Sequence, residues 1–210
     1  SDAQLAWAHA YIGTATDAAD LDRLRAIYDG EEVVNGLDID VDLRWSIVDR
    51  LATTGRAEEQ LIAGQLQRAG DSMDLLHAES TRASRPDPAV KAEVWRRLTS
   101  PGEKLQMINA LTGGFRQPEQ QELLEPYVTS YEEAVAGFWK RPKEEAAALT
   151  GGLYPAYIVD DRVVAMADRL LARTDLPEPA RRIVAEQRDG TLRAQRAQRA
   201  DRLPAAAGVS

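Results

Sequence analysis

The chain has 210 residues, with 26 Lys and Arg against 34 Asp and Glu, a net charge of -8, two His, no Cys and 44% apolar residues. Without Cys, a disulfide framework, a Cys-ligated metal and a thiol nucleophile are excluded. No apolar run approaches the roughly 18 residues of a membrane span, and the acidic balance disfavours nucleic acid or an anionic membrane as partner. Since no leading segment resembles a signal peptide, we expect a cytoplasmic protein.

Most of the chain repeats its apolar residues at three- and four-residue spacing, which is the period of an amphipathic helix. Proline and glycine divide this pattern into about twelve short helices joined by short links. We therefore predict an all-α fold, an irregular α-solenoid of the HEAT or armadillo kind built from stacked antiparallel helix hairpins. Residues 1–203 are expected to form a single helical domain and residues 204–210 a disordered tail.

One segment near the N-terminus departs from the helical period. In residues 37–43, apolar side chains alternate with aspartates, as in a short strand. Because no partner strand is in sight, we expect an extended linker that enters a helix at Leu43, with Asp42 as the N-cap. The three aspartates match the first ligands of a calcium loop, but Leu43 and Asp49 replace the Gly and Glu that such a loop needs, which favours a solvated acidic linker.

Helix boundaries are signalled further along the chain. Asp87 before Pro88 predicts a helix start, and Ser100, Pro101 and Glu103 have the spacing of a capping box. The Gly113–Gly114 pair predicts the end of a helix, so that the residues after it would lie on a turn.

Chemistry-bearing motifs are scarce. His9 and His77 do not form a zinc-binding His-Glu-x-x-His pair, and no nucleophile elbow or phosphate-binding loop is present. A basic stripe, Arg193, Arg196, Arg199 and Arg202, runs along the last predicted helix. It is typical of a solvated helix C-terminus, and an anionic partner such as RNA is the alternative. The residues thus predict no bound cofactor, metal or catalytic group in this chain.

Five sequence motifs follow one another in an order that resembles a known family. They are GLDIDVDLRW at 36–45, RPD at 85–87 with AEVW at 92–95, GFRQP at 114–118 with ELLEPYV at 122–128, GLYP at 152–155, and RRIV at 181–184. Together they resemble the end of the actinobacterial-type aminopeptidase N family of zinc metallopeptidases, within a C-terminal domain similar to that of endoplasmic-reticulum aminopeptidases.

The resemblance implies a HEAT-like helical bowl that closes over a catalytic domain, encloses the substrate chamber and helps to select peptide length. Zinc and the catalytic residues would belong to that upstream domain, so this chain should be inactive alone, with the catalytic domain and a peptide substrate as its partners. Arg44, Trp45, Phe115 and Arg116 are the candidates to face the chamber, although Arg44 and Trp45 also fit a buried helix start. A free-standing helical-repeat adaptor for a protein or peptide remains the alternative function.

Overall fold

The computed structural model describes residues 2–201, and within them the fold is all-α, as predicted. This part of the chain contains twelve α-helices, a short 3-10 helix at Pro118–Gln120 and no β-strand. The helices are α1 Asp2–Thr14, α2 Ala18–Asp29, α3 Val41–Thr53, α4 Glu59–Ala69, α5 Ser72–Ser84, α6 Pro88–Thr99, α7 Leu105–Phe115, α8 Gln121–Leu124, α9 Tyr127–Phe138, α10 Lys143–Gly152, α11 Asp161–Ala172 and α12 Glu178–Asp201. The expected disordered tail, 204–210, lies outside the described residues, and the single domain over 1–203 and the solenoid arrangement stay predictions.

The described residues divide into two compact units. Unit 1 holds residues 2–98 and 109–117, and unit 2 holds residues 99–108 and 118–201. The boundary therefore falls within helix α7, whose first residues group with unit 2 and whose remaining residues group with unit 1.

Helix α3 lies at the centre of unit 1, where it contacts α1, α2, α4 and α5. Its apolar residues point to more than one side, and Trp45, Ile47, Val48 and Leu51 are all buried. A helix that is apolar on several faces is stable only when neighbours cover each of them. This explains why α3 forms the core to which the other helices attach.

The alternating segment before α3 is extended without forming a strand, in agreement with the linker prediction. Leu37 and Ile39 pack against the core, whereas Asp38 is exposed. The predicted N-cap, Asp42, was wrong: α3 begins two residues earlier than expected, because Asp40 Oδ1 accepts a hydrogen bond from the backbone N–H of Leu43 at 2.8 Å.

Two further helix boundaries differ from the sequence-based expectation. The helix predicted to start after Ser100 begins only at Leu105, because residues 100–102 make a turn with Gly102 at φ 127°. The glycine pair does not end a helix either, since Gly113 and Gly114 both lie inside α7. By contrast, α6 begins at Pro88 as predicted, and Asp87 Oδ1 accepts from the N–H of Ala89.

In unit 2, helices α10 and α11 each contact both α9 and α12. Tyr131 and Tyr154 are fully buried and meet edge to face, with ring centroids 5.8 Å apart. The Tyr131 hydroxyl donates to the Thr150 carbonyl at 2.8 Å, which satisfies the one polar group that this ring brings into the core.

None of the helices within residues 2–201 combines the length and the apolar character that crossing a membrane requires.

Candidate functional site

Trp45, one of the four predicted site residues, is buried between α3 and α5. Its indole N–H donates to Asp74 Oδ1 at 2.7 Å, and His77 stacks on the ring at a centroid distance of 5.8 Å. Asp74 also accepts from the backbone N–H of Asp71 at the start of α5. These hydrogen bonds lower the pKa of Asp74, that from Asp71 most strongly, and the carboxylate serves both helices.

Arg44 is half-buried and lies over the ring of Tyr28 in α2. Its guanidinium carbon is 5.7 Å from the ring centroid, and Nη1 donates to the Tyr28 carbonyl at 3.1 Å. Arg68 of α4 also lies over that ring, at 5.4 Å. Tyr28 is thereby held by two guanidinium groups, and Arg44 ties α3 to the C-terminal end of α2.

Phe115 is fully buried at the last position of α7, whereas the sequence placed it on a turn. Trp95 contacts its ring at 6.0 Å, and the ammonium of Lys91 lies 5.7 Å from the ring centroid. Arg116, the next residue, is half-buried, and its backbone N–H donates to the Thr112 carbonyl. Facing a substrate chamber remains a prediction for all four residues, and the two aromatic side chains already serve the core of unit 1.

A polar cleft of about 280 Å³ opens beside Trp45, between α3 and α5. It is lined by Asp42, Trp45, Ser46, Asp49, His77, Ser80 and Thr81. Burial raises the pKa of the Asp49 carboxyl, and hydrogen bonds from Thr81 and Ser84 act in the opposite direction. With two carboxylates and several hydroxyls, the cleft has the chemistry to accept a cationic or hydrogen-bond-donating group.

A second cavity in unit 1 is apolar. About 390 Å³ in volume, it lies between α1, α2, the 30–40 segment and the start of α3. The lining residues include Trp7, Tyr11, Val34, Leu37 and Ile39. Volumes of about 300–1,000 Å³ with mostly apolar walls are typical of sites that receive ligands or partner side chains.

Unit 2 presents a charged groove of about 630 Å³ between α9 and α11. Arg169 pairs with Glu132 across it through two contacts of 2.7 Å, and Arg162 pairs with Glu125. Val128 and Ile158 also line the groove. With both apolar and charged side chains, it has the chemistry to hold an extended peptide.

The described residues do not provide a ligand set for zinc. No group of three or more His, Cys, Asp or Glu side chains within them is placed to hold a metal ion. Of the two histidines in the sequence, His77 stacks on Trp45, and His9 lies on the exposed side of α1.

Lys91 is the residue that sequence reasoning missed. It is fully buried, and its ammonium donates to the Ala83 carbonyl at 2.7 Å and the Phe115 carbonyl at 3.3 Å. A signal was present, because Lys91 precedes Val94 and Leu98 by three and seven residues and so shares their buried face. A cation on the apolar face of a predicted helix indicates that hydrogen-bond acceptors are buried beside it.

Comparison with known proteins gives two matches that cover nearly the whole chain. The family model described as "ERAP1-like C-terminal domain" matches residues 1–193. The "Aminopeptidase N" of Streptomyces lividans is 39% identical over 203 residues, which cover 96% of this chain and 24% of that protein. The chain thus spans about a quarter of the length of the curated relative that it matches.

Proposed function

Because the chain belongs to the ERAP1-like C-terminal domain family, we propose that it is the noncatalytic C-terminal domain of a zinc-dependent aminopeptidase N, a hydrolase of peptides. The resemblance read from the five sequence motifs is confirmed by this family match and by the similarity to the Streptomyces enzyme. The proposed role is to enclose the substrate chamber of the attached catalytic domain and to contribute to peptide access and length selection.

The observation that carries this proposal is the extent of the match. The 39% identity extends over 96% of the chain but over 24% of a protein named for its aminopeptidase activity. Three quarters of that relative therefore lie outside the matched region, which leaves ample chain for a catalytic domain. The zinc ligands of the enzyme are proposed to lie in that part, as the resemblance to the zinc metallopeptidases implies.

The domain would act through shape and charge without supplying a reacting group. Grooves such as the one between α9 and α11 could hold the distal part of a peptide while its N-terminal residue lies at the catalytic centre. Binding of remote substrate parts improves the position of the reacting bond and so raises the rate of the chemical step. A chamber enclosed by helices would favour peptides whose length reaches both sites.

The experiment combines the chain with a truncated Streptomyces lividans enzyme that lacks the matched region. We measure kcat/KM for a series of peptides of increasing length, with and without the added chain. The chain alone should release no aminoacyl chromophore, and its addition should restore the length preference of the intact enzyme. A length preference that is unchanged by the addition would contradict the chamber role.

The adaptor function and the cytoplasmic location are two further hypotheses. The peptide series tests the first, and cell fractionation tests the second. An adaptor would bind a protein or peptide without altering the hydrolysis of any peptide in the series. Fractionation of cells that produce the natural protein would show whether it remains in the cytoplasm.

A further inference from the structure

The solvent-facing side of α1 has an unusual composition for an exposed helix. No Asp, Glu, Lys or Arg occurs between Ala3 and Thr14, and the exposed positions include Ala6, Trp7 and Ala10 beside the polar Gln4 and His9. The opposite side of the helix contributes Ile12 to the core. Exposed faces of surface helices are normally charged or polar, and a helix that is apolar all round is normally covered on all sides.

Trp7 connects this face to the apolar cavity of unit 1. Its side chain is 76% exposed, although it lines the cavity together with Val34, Leu37 and Ile39. We name these four residues, with Ala8 and Tyr11, the α1 groove. Trp is enriched among the hot spots of protein interfaces. An exposed Trp beside an apolar cavity therefore indicates an interaction site, because a partner that covers it removes a large apolar surface from water.

The α1 groove is formed by an acidic part of the sequence, although Arg23 also lines its cavity and lies over the Tyr11 ring at 5.6 Å. Residues 1–42 contain ten acidic residues and two basic ones, Arg23 and Arg25, and both of these are paired within the unit, with Glu32 and Asp29. Two of these ten acidic residues, Glu31 and Asp38, are exposed on the segment that forms one wall of the groove. An occupant of the groove would therefore gain from positive charge at its edges.

We propose that the α1 groove is the docking surface for an amphipathic helix from the remainder of the aminopeptidase N polypeptide, with an apolar ridge flanked by Lys or Arg. This inference rests on the proposed function, since the matched region accounts for 24% of the relative and the rest supplies the partner. The apolar ridge fills the cavity and covers Trp7, while the basic flanks face the carboxylates.

The test measures binding of the 210-residue chain to the truncated Streptomyces enzyme by titration calorimetry. Trp7→Glu should weaken the affinity by about tenfold or more, because it places a charge in the apolar contact. The matched control is Met73→Glu, which changes a side chain that is 57% exposed on α5, outside the groove, and should leave the affinity within about twofold. Since Trp7 is mostly exposed, both variants should retain the circular dichroism and urea midpoint of the wild type.

A second readout follows Trp7 directly. In a chain labelled with 5-fluorotryptophan, the fluorine signal that Trp7→Phe removes should shift on addition of the truncated enzyme, and the buried Trp45 signal should not. Equal affinities of wild type and Trp7→Glu, an unshifted Trp7 signal or the absence of binding would overturn the proposal. Self-association that Trp7→Glu abolishes, with no effect on binding to the enzyme, would assign the groove to a second copy of the chain and also overturn it.

Failure of the proposed function gives a different pattern. A chain that binds through Trp7 without restoring the length preference would refute the chamber role and keep the docking surface. A Trp7→Glu chain that binds and restores the preference as well as wild type would refute the docking surface alone.

Discussion

Lys91 illustrates how a single buried charge is accommodated in unit 1. Its ammonium meets the carbonyl of Ala83, near the end of α5, and that of Phe115, at the end of α7. Helix C-termini carry unsatisfied carbonyls, so one ammonium supplies hydrogen bonds to two helix ends. Burial nevertheless lowers the pKa of Lys91 to about 7, against the opposite effect of Asp49.

This depressed pKa predicts how the stability depends on pH. Between pH 7 and about 10, the unfolded chain binds a proton at Lys91 that the folded chain has lost, so the free energy of unfolding should rise with pH. The contribution is at most about 1.4 kcal/mol per pH unit. Urea unfolding of wild type and Lys91→Met from pH 7 to 9.5 should show the free energy of unfolding of the wild type rising with pH relative to that of the variant. Parallel pH profiles would show that Lys91 does not titrate in this range.

Gly114 is required by the close approach of α7 to α5. A Cβ at this position would lie 2.0 Å from the backbone carbonyl oxygen of Ser80, whereas a Cβ at Gly113 would have its nearest contact at 3.8 Å, with the Ser80 hydroxyl. Gly114→Ala should therefore destabilise the protein by about 2 kcal/mol or more, because the two helices must separate. Gly113→Ala should be neutral or stabilise by up to about 1 kcal/mol through its helix propensity. Equal urea midpoints for the two variants would contradict the close packing.

At the scale of elements, the Asp74 carboxylate joins α3 to α5 and also caps α5. Asp74 caps the start of α5 and accepts the indole N–H of Trp45 from α3. Since these hydrogen bonds lower its pKa, their stabilisation is present above the unfolded pKa of about 4 and is lost as the pH falls through the lower, folded value.

Substitution at the two ends of this capping box should separate its two functions. Asp71→Ala removes a cap of α5 alone and should cost about 1 kcal/mol of unfolding free energy. Asp74→Ala also leaves the buried indole N–H of Trp45 without its acceptor and should cost about 2–3 kcal/mol. Chemical denaturation at pH 7 measures both values. Losses of the same size for the two variants would mean that the hydrogen bond from Trp45 to Asp74 contributes nothing to the stability.

Sequence patterns predicted the helices well, because apolar period and proline position are local properties of the chain. Pro88 started α6 as expected, and residues 37–40 form the expected extended linker, although the helix after it begins at Val41 and not at Leu43. The glycine pair was misread, because Gly114 owes its place in α7 to Ser80, which is distant in sequence. For the same reason the burial of Phe115 could not be read from neighbouring residues, since it depends on Lys91 and Trp95. The order of the motifs was enough to identify the family. The grooves could not be predicted, because they are formed by residues that are distant in sequence.

At the scale of the whole molecule, each of the two units carries at least one groove or cleft. Unit 1 carries the apolar α1 groove and the polar cleft beside Trp45, and unit 2 carries the charged groove between α9 and α11. The family match spans residues 1–193, and the matched relative is about four times as long as the matched region. The proposed function uses these surfaces to position a peptide, and it assigns bond cleavage to the rest of the polypeptide.

The most direct measurement is a graft into the Streptomyces lividans enzyme, in which this chain replaces the matched quarter. Hydrolysis rates are determined over one peptide-length series for the intact enzyme, the truncated enzyme and the graft. We predict that truncation abolishes the dependence of kcat/KM on length while single-residue substrates are still cleaved, and that the graft restores the dependence. If kcat/KM of the graft depends on peptide length no more than kcat/KM of the truncated enzyme does, the account is contradicted.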